Sequence, residues 1–170
     1  GERTGIVLSD HKVDMVYGRL ARRLRQLDIK SFQDYLSMLE DTASNDELTE
    51  FTNALTTNLT SFFREPHHFD FLKKQALPEL TRKRLNKKMR IWSAGCSTGE
   101  EPYTLAITLR ENISDIRNWD VKILATDLDS NVVAKGKAGI YTLDRVNGIE
   151  KTRFNKWFKK GRNDQDEKVK

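Results

Sequence analysis

The chain has 170 residues, of which 37% are hydrophobic and 32% are charged, and its formal net charge is +5 at pH 7. No apolar run is long enough to cross a bilayer, and no export signal is visible, so the sequence predicts neither direct membrane insertion nor secretion. Its single cysteine, Cys96, excludes an internal disulfide and fits a reducing, cytoplasmic compartment. The positive charge favours an acidic partner, which leaves nucleic acid, anionic lipid and acidic protein open.

The first third of the chain predicts a small helical domain. Ser9-Asp10 can cap a helix from about His11 to Leu27, in which apolar residues fall on one stripe. A second helix follows Ser31. A third follows Ser44, where Ser44-x-x-Glu47 forms a capping box.

A segment that joins polar residues to aromatic ones comes next. Asn58-Leu59-Thr60-Ser61-Phe62-Phe63-Arg64-Glu65-Pro66 sets polar side chains directly against two phenylalanines. Pro66 suits the first turn of a helix that we expect to end around Leu80. The following stretch, Thr81 to Arg90, is basic without an acid and predicts an exposed linker.

The next stretch predicts the front half of an α/β domain. A strand from about Arg90 to Ser93 enters a glycine-rich turn, and a helix follows from about Glu101 to Glu111. A second strand, about Val121 to Thr126, ends on an acid, and Asp129-Ser130 can start another helix. An open α/β sheet normally has more strands than these, and the chain lacks an initial Met. We therefore expect a piece of a longer protein.

The turn Gly95-Cys96-Ser97-Thr98-Gly99 fits two templates. One is the cofactor turn of a nucleotide-type βαβ unit, in which glycines let the backbone approach a ligand. The other is the nucleophile elbow of α/β-hydrolases, with Ser97 as nucleophile. Because that class needs its histidine after the serine and every histidine of this chain precedes Ser97, the cofactor turn is favoured, and a plain structural turn is the remaining alternative.

Acidic residues beside this turn indicate which cofactor it serves. Asp127 ends the second strand, where a carboxylate can accept hydrogen bonds from ribose, whereas Asp129 is assigned to the helix cap. Glu100 and Glu101 open the helix after the turn. Acids there suit the helix dipole, but they would also attract a cationic sulfonium and repel a pyrophosphate. The pattern therefore favours S-adenosylmethionine over NAD.

Other candidate groups carry weaker signals. The pair His67-His68 has no third ligand at a usual spacing, so no metal site is predicted, and Cys96 has no histidine after it to activate it. The basic face with Arg19, Arg22, Arg23 and Arg25 is either merely solvated or docks an acidic helix. The basic linker has no interleaved aromatic residue, which disfavours RNA binding through base stacking.

Together these motifs resemble the chemoreceptor glutamate methyltransferases, the CheR family. Asn58 to Phe69 is similar to its N-L-T-x-F-F-R-E signature, and Trp92 to Tyr103 is similar to its glycine-rich motif. Ala125-Thr126-Asp127-Leu128-Asp129 and Gly139-Ile140-Tyr141 follow in the expected order, and Gly5-Ile6-Val7-Leu8 also fits.

The resemblance implies an α/β protein in which a small all-helical domain precedes a Rossmann-like S-adenosylmethionine-dependent methyltransferase domain, here partial. It implies residues 1–57 as a receptor-facing domain, 58–90 as a linker and linking helix that contribute to the cofactor pocket, and 91–170 as the partial cofactor domain. The family also has a second half of the catalytic domain and a small β-subdomain, which this sequence lacks.

The resemblance also implies methyl esterification of glutamates on the cytoplasmic helical part of chemoreceptors, during chemotactic adaptation. A catalytic role falls on Arg64, and receptor binding falls on Arg19, Arg22 and Arg23. Glu101, or with less support Glu100, would contact the methionine part of the cofactor. The cofactor set is then Asn58, Thr60, Arg64, Gly95, Glu101 and Asp127. A non-catalytic receptor-docking or sensing module and, with less support, a nucleic-acid methyltransferase remain alternatives.

Overall fold

The computed structural model describes residues 12–41, 45–83, 86–161 and 168–170, with Asn45 by its backbone alone. These residues form two compact units. The first unit consists of the chain up to Thr57 together with the short segment Leu128–Asn131, and the second consists of Asn58–Asp127 together with Val132–Lys170. The expected Ser9-Asp10 cap, the Ser44 capping box and the Gly5–Leu8 motif lie outside the described residues. Within the described part, no helix has both the length and the apolar character needed to cross a bilayer.

The first unit is built from helices, as the apolar periodicity predicts. They are α1 (Val13–Gln26), α2 (Phe32–Asp41) and α3 (Asn45–Leu55). Leu24, Tyr35 and Leu55, one from each helix, are buried in it. The polar contact among the helices is centred on Glu47, which accepts hydrogen bonds from Tyr35 Oη at 2.7 Å and from Arg23 Nε at 3.0 Å. The bond from Arg23 holds the pKa of the Glu47 carboxyl below its usual value.

The short segment Leu128–Asn131 belongs to this unit through hydrogen bonds to the end of α3. Asn53 Nδ2 donates to Ser130 Oγ at 3.1 Å, and Ser130 N donates back to Asn53 Oδ1 at 3.1 Å. Asp129 is buried, and its Oδ2 accepts from Thr56 Oγ1 at 3.0 Å. Asp129 Oδ1 accepts from Asn131 N at 2.9 Å, which confirms that Asp129 caps the helix that follows.

The second unit contains the predicted strand–helix–strand order. Its elements are α4 (Pro66–Phe71), a π-helical turn (Leu72–Ala76), α5 (Leu77–Lys83), β1 (Lys88–Ser93), α6 (Glu100–Asn112), a 3-10 turn (Ile116–Asn118), β2 (Asp120–Ala125), α7 (Ser130–Ala138, whose first two residues belong to the first unit), β3 (Tyr141–Thr142), α8 (Leu143–Val146), α9 (Lys151–Trp157) and β4 (Lys168–Val169). The strands β1 and β2 are parallel, in register from Lys88↔Asp120 to Ser93↔Ala125. The strands β3 and β4 are antiparallel and were not predicted.

The linking region differs from the expectation in the bounds of its elements. The helix that starts at Pro66 continues to Lys83 and is interrupted by the π-helical turn Leu72–Ala76, which apolar periodicity alone does not reveal. The described residues of the stretch Thr81–Arg90 are mostly exposed, as expected, but the start of the stretch is helical and β1 begins at Lys88. Amphipathic burial explains the difference, because Leu77 of α5 and Met89 of β1 both enter the same apolar cluster.

One face of the β1–β2 sheet carries the core of this unit. Met89 lies in a cluster with Leu77, Leu109 and Ile113, so that α5 and α6 cover this face. The register partners Trp92 and Leu124 point to the other face, where they are 67% and 59% exposed. A separate apolar cluster around Phe62 and Tyr141 holds the residues before α4 against the β3–α8 region.

Candidate functional site

The loop between β1 and α6 is held at the carboxyl end of the sheet by main-chain hydrogen bonds. Thr126 N donates to Ser93 O at 3.0 Å, and Cys96 N donates to Thr126 O at 2.9 Å. Ser97 has a φ of 47° and Gly99 a φ of 99°, so the chain turns sharply through left-handed conformations before α6 begins. This is the place where open α/β sheets bind ligands.

The two glycines of the loop have different roles. A Cβ on Gly99 would lie 2.8 Å from Tyr141 Oη and 2.9 Å from Gly136 Cα, so Gly99 is required for close packing. A Cβ on Gly95 would meet no atom of the described residues within 4 Å, its chain neighbours aside. The backbone at Gly95 therefore faces open space, as the approach of a ligand to that backbone requires.

Ser97 joins two of the predicted cofactor residues. Its main-chain N–H donates to Asp127 Oδ2 at 2.8 Å, and its hydroxyl donates to the carbonyl oxygen of Asn58 at 3.5 Å. Ser97 is only 5% exposed. A nucleophile elbow presents its serine hydroxyl to substrate, and a buried hydroxyl bonded to a carbonyl does not, so the hydrolase interpretation loses its nucleophile.

The two adjacent acids of α6 have different surroundings. Glu100 is fully buried: one carboxylate oxygen pairs with Arg145, and the other accepts from Thr98 Oγ1 at 2.6 Å. Glu101 is exposed, and its Oε1 accepts from Ser93 Oγ at 2.6 Å. Of the two, only Glu101 presents its carboxylate where a ligand can reach it.

An open pocket of about 620 Å³ lies beside Glu101. It brings together Thr60, Arg64, Gly95 and Glu101, four of the predicted site residues. Asn58 and Asp127 are absent from its lining and contact the loop through Ser97 instead. The remaining lining residues are Leu59, Ser61, Glu65, His68, Phe69, Phe71, Leu72, Ala76, Ile91, Trp92 and Leu105.

Arg64 lies between two residues with left-handed backbones. Phe63 and Glu65 both have a φ of 55°, a conformation that costs energy for residues with a side chain. Phe63 N donates to Thr104 Oγ1 at 3.1 Å, and the Arg153 guanidinium lies 4.5 Å from the centre of the Phe63 ring. Arg64 itself is exposed, and its Nη1 donates to Leu59 O at 2.7 Å.

Contacts that sequence reasoning missed surround this pocket. Arg145 donates to Thr60 O at 3.0 Å while it pairs with Glu100, and Tyr141 Oη donates to Thr98 O at 2.8 Å. Burial raises the pKa of Tyr141, which keeps it a neutral donor. The motif Gly139-Ile140-Tyr141 marks Tyr141 in the sequence, but no sequence pattern distinguishes Arg145 from a solvated surface arginine.

The surroundings of Cys96, His67 and His68 do not favour a catalytic or metal-binding role for these side chains. Burial raises the pKa of the Cys96 thiol, with a further contribution from Asp127, which disfavours the reactive thiolate. His67 and His68 are both exposed, with ring centres 4.2 Å apart. Among the described residues, no group of three or more potential metal ligands occurs.

The basic face of α1 is only partly available for binding. Arg23 pairs with Glu47, and Arg19 donates to the carbonyl oxygens of Ala54 and Thr56, so both stabilise the helical unit internally. Arg22 and Arg25 are exposed. Of the three arginines expected to bind a receptor, Arg22 is thus the one whose charge faces solvent.

Several cations of the basic stretch before and within β1 also have acidic partners. Lys83 pairs with Glu79 at 2.5 Å, and Arg90 pairs with Asp120 at 2.5 Å. Lys87 pairs with Asp115. Partnered cations neutralise phosphate less well, which further disfavours this stretch as a nucleic-acid surface.

A glycine-bearing strand–helix turn, an acid after the second strand and an exposed carboxylate at the pocket define an α/β domain for a nucleotide-type cofactor. Comparison with known proteins specifies the class. The family domain described as "CheR methyltransferase, SAM binding domain" matches residues 58–170, and "CheR methyltransferase, all-alpha domain" matches residues 1–56.

Curated relatives named "Chemotaxis protein methyltransferase" are similar over most of this chain. The protein from Salmonella typhimurium is 46% identical over 161 residues, covering 94% of this chain and 53% of the relative. The protein from Escherichia coli K12 is 43% identical over 161 residues, covering 94% and 54%. That from Borreliella burgdorferi is 45% identical over 151 residues, covering 86% and 53%.

The chain belongs to the CheR methyltransferase family, and it spans about half the length of the curated relatives it matches. Its fold class is the predicted one: an all-helical domain followed by part of a Rossmann-like methyltransferase domain. The methyl donor of this family is S-adenosylmethionine. The pocket fits that group, because the open backbone at Gly95 gives space and the Glu101 carboxylate complements a positively charged ligand.

The different surroundings of the two loop glycines give a matched test. Gly99→Ala should lower the free energy of unfolding by at least about 1 kcal/mol, because the φ is left-handed and the new Cβ overlaps Tyr141 and Gly136. Gly95→Ala should change it by less than about 0.5 kcal/mol. Denaturant unfolding of both variants measures this, and equal stabilities would contradict the packing described for Gly99.

Proposed function

We propose that the protein containing this chain is an S-adenosylmethionine-dependent methyltransferase that esterifies glutamate side chains of chemoreceptors in chemotactic adaptation. The observation that carries the proposal is the pocket that joins Thr60, Arg64, Gly95 and Glu101. The name "Chemotaxis protein methyltransferase" of its relatives supports the process and the reaction type. The receptor is the substrate that this name and the family resemblance favour.

Each site residue has a role that its position supports. Glu101 binds the cationic methionine part of the cofactor, and Asp127 accepts hydrogen bonds from its ribose. Thr60 borders the pocket from the segment before α4, and Gly95 lets the loop backbone come close. Asn58 contributes through its contact with Ser97.

When bound, the cofactor supplies a methyl group attached to a sulfonium sulfur, and the leaving group is the neutral thioether S-adenosylhomocysteine. The acceptor glutamate is already ionised at neutral pH, so the site needs no general base. The protein contributes proximity and orientation. Arg64 lines the pocket and orients the acceptor carboxylate, although very tight binding of that carboxylate would stabilise the ground state.

We further propose that the helical unit, residues 1–57, faces the receptor, that residues 58–90 contribute to the cofactor pocket, and that residues 91–170 form the cofactor domain. The exposed Arg22 and Arg25 of α1 attract the acidic surface of the receptor's cytoplasmic helices. Arg19 and Arg23 support this face by holding α1 to the end of α3 and to Glu47. The protein acts in the cytoplasm, where that part of the receptor lies.

Cofactor binding is tested by calorimetric titration of the protein at its natural full length with S-adenosylhomocysteine. Asp127→Ala should weaken binding roughly 10-fold or more, because a carboxylate that accepts ribose hydrogen bonds is lost. Asp120→Ala is the matched control, since Asp120 lies at the other end of β2 in an exposed pair with Arg90. Wild-type affinity in Asp127→Ala would remove Asp127 from the site.

The role of Arg64 is tested by methyl transfer to a chemoreceptor. Arg64→Ala should abolish most of the transfer while it leaves much of the cofactor binding, and Arg82→Ala, an exposed arginine of α5, should retain both. Base-labile methyl incorporated into protein supports ester formation. Methyl incorporated into RNA instead would favour a nucleic-acid methyltransferase, and unchanged turnover in Arg64→Ala would refute its role.

Receptor docking is tested by charge reversal on α1. Arg22→Glu should weaken receptor binding, more at low salt than at high salt, because exposed charges act through a screened field. Lys30→Glu, at an exposed position beyond α1, is the control with the same change of charge. Equal affinities of Arg22→Glu and the unaltered protein would mean that this face is only solvated.

A further inference from the structure

Glu100 is a buried and fully hydrogen-bonded acid beside Glu101, and none of the proposed binding roles uses it. Its carboxylate is fully buried and is bonded through both oxygens, to Arg145 and to Thr98. Its main-chain oxygen accepts from Thr104 Oγ1 at 2.6 Å. We refer to Glu100, Thr98, Thr104 and Arg145 as the Glu100 cluster.

This cluster fastens the segment before α4 to the start of α6 at two points. Arg145 Nη2, which pairs with Glu100, also donates to the carbonyl oxygen of Thr60 at 3.0 Å. Thr104 Oγ1, which donates to Glu100 O, accepts from the main-chain N–H of Phe63 at 3.1 Å. The residues fastened in this way immediately precede Arg64, and Glu100 immediately precedes Glu101.

Arg145 comes from a part of the chain that lines no wall of the 620 Å³ pocket. It lies on α8, a short helix directly after β3, and its side chain is 41% exposed. From the same connection, Tyr141 donates to Thr98 O at 2.8 Å. The β3–α8 connection therefore contacts both the glycine loop and the Asn58–Glu65 segment.

We infer that Arg145 is a positioning residue of the methyltransferase site: by bridging Glu100 and Thr60 it sets the spacing between Arg64 and Glu101. This inference rests on the proposed function. An arginine suits the task, because the two hydrogens of Nη2 have fixed directions in the guanidinium plane and reach a carboxylate and a carbonyl together. A lysine carries the charge and several donors, but its ammonium group has no such fixed planar geometry.

Removing Arg145 leaves the Glu100 carboxylate buried without its cation, which is expected to lower stability strongly. Loss of stability alone would not demonstrate positioning. A neutral pair, Glu100→Gln with Arg145→Met, removes the uncompensated charge and keeps an amide that Thr98 can bond. Arg145→Lys keeps the positive charge but removes the planar guanidinium group. Arg90→Met is the control, since Arg90 forms an ion pair with Asp120 on the sheet.

The experiment measures three quantities on the protein at its natural full length: the Kd for S-adenosylhomocysteine, the KM for S-adenosylmethionine with kcat, and the Tm. In Arg145→Met and in the neutral pair, Kd and KM should rise about tenfold, because two charge-assisted hydrogen bonds that order the pocket are lost. The neutral pair should recover much of the Tm without recovering the affinity. The Kd and KM of Arg145→Lys should lie between those of Arg145→Met and those of the unaltered protein. Arg90→Met should have the same Kd and KM as the unaltered protein.

Unchanged Kd and KM in folded Arg145→Met and in the neutral pair, with only the Tm lowered, would overturn the inference and leave the proposed function intact. Recovery of full affinity in the neutral pair would also overturn it, because it would assign the whole effect to stability. Failure of the unaltered protein to bind S-adenosylhomocysteine would overturn the proposed function, and the inference would fall with it.

Discussion

The buried carboxylate of Glu100 is the constraint on which the rest of the site depends. A carboxylate without solvent must be paired and hydrogen-bonded, since its desolvation otherwise costs several kcal/mol. Arg145 and Thr98 meet that need, and the start of the α6 dipole adds a favourable field. Because Arg145 also bonds Thr60, satisfying one buried charge fixes where the Asn58–Glu65 segment lies against α6.

Helix geometry gives the adjacent residues Glu100 and Glu101 different roles, one structural and one in binding. Successive residues of an α-helix point about 100° apart, so Glu100 turns into the unit while Glu101 turns to the pocket. The loop before α6 shows the same division. Ser97 is buried and links Asp127 to Asn58, whereas the backbone at Gly95 faces open space. Buried polar residues hold the chain, and their exposed neighbours are available to a ligand.

Sequence reasoning recovered the elements whose signals are local. The glycine turn, the acid after β2, the cap at Asp129 and the helices α1 to α3 each follow from a few adjacent residues, and the cofactor class followed from the two acids beside the turn. The π-helical turn within the linking helix was missed, because an inserted residue shifts the helix face without breaking the apolar pattern. The short pair β3–β4 was missed because two-residue strands carry no periodicity.

Long-range partners could not be predicted in the same way. Arg23 and Glu47 are 24 positions apart, and Arg145 and Glu100 are 45 apart, so no spacing rule links them. A basic stripe therefore looked uniformly available for binding, although Arg19 and Arg23 act inside the helical unit. Arg145 could not be predicted for the same reason, because it shares no sequence motif with Glu100 or Thr60, to which it is bonded.

The Asn58–Glu65 segment and the glycine loop together form the proposed binding surface for the cofactor. Hydrogen exchange of the protein at its natural full length, followed by mass spectrometry with and without S-adenosylhomocysteine, tests it most directly. The account predicts that the ligand slows exchange in peptides covering residues 58–65 and 94–101 together. Slower exchange in the loop with no change in 58–65, or no change in either, would contradict it.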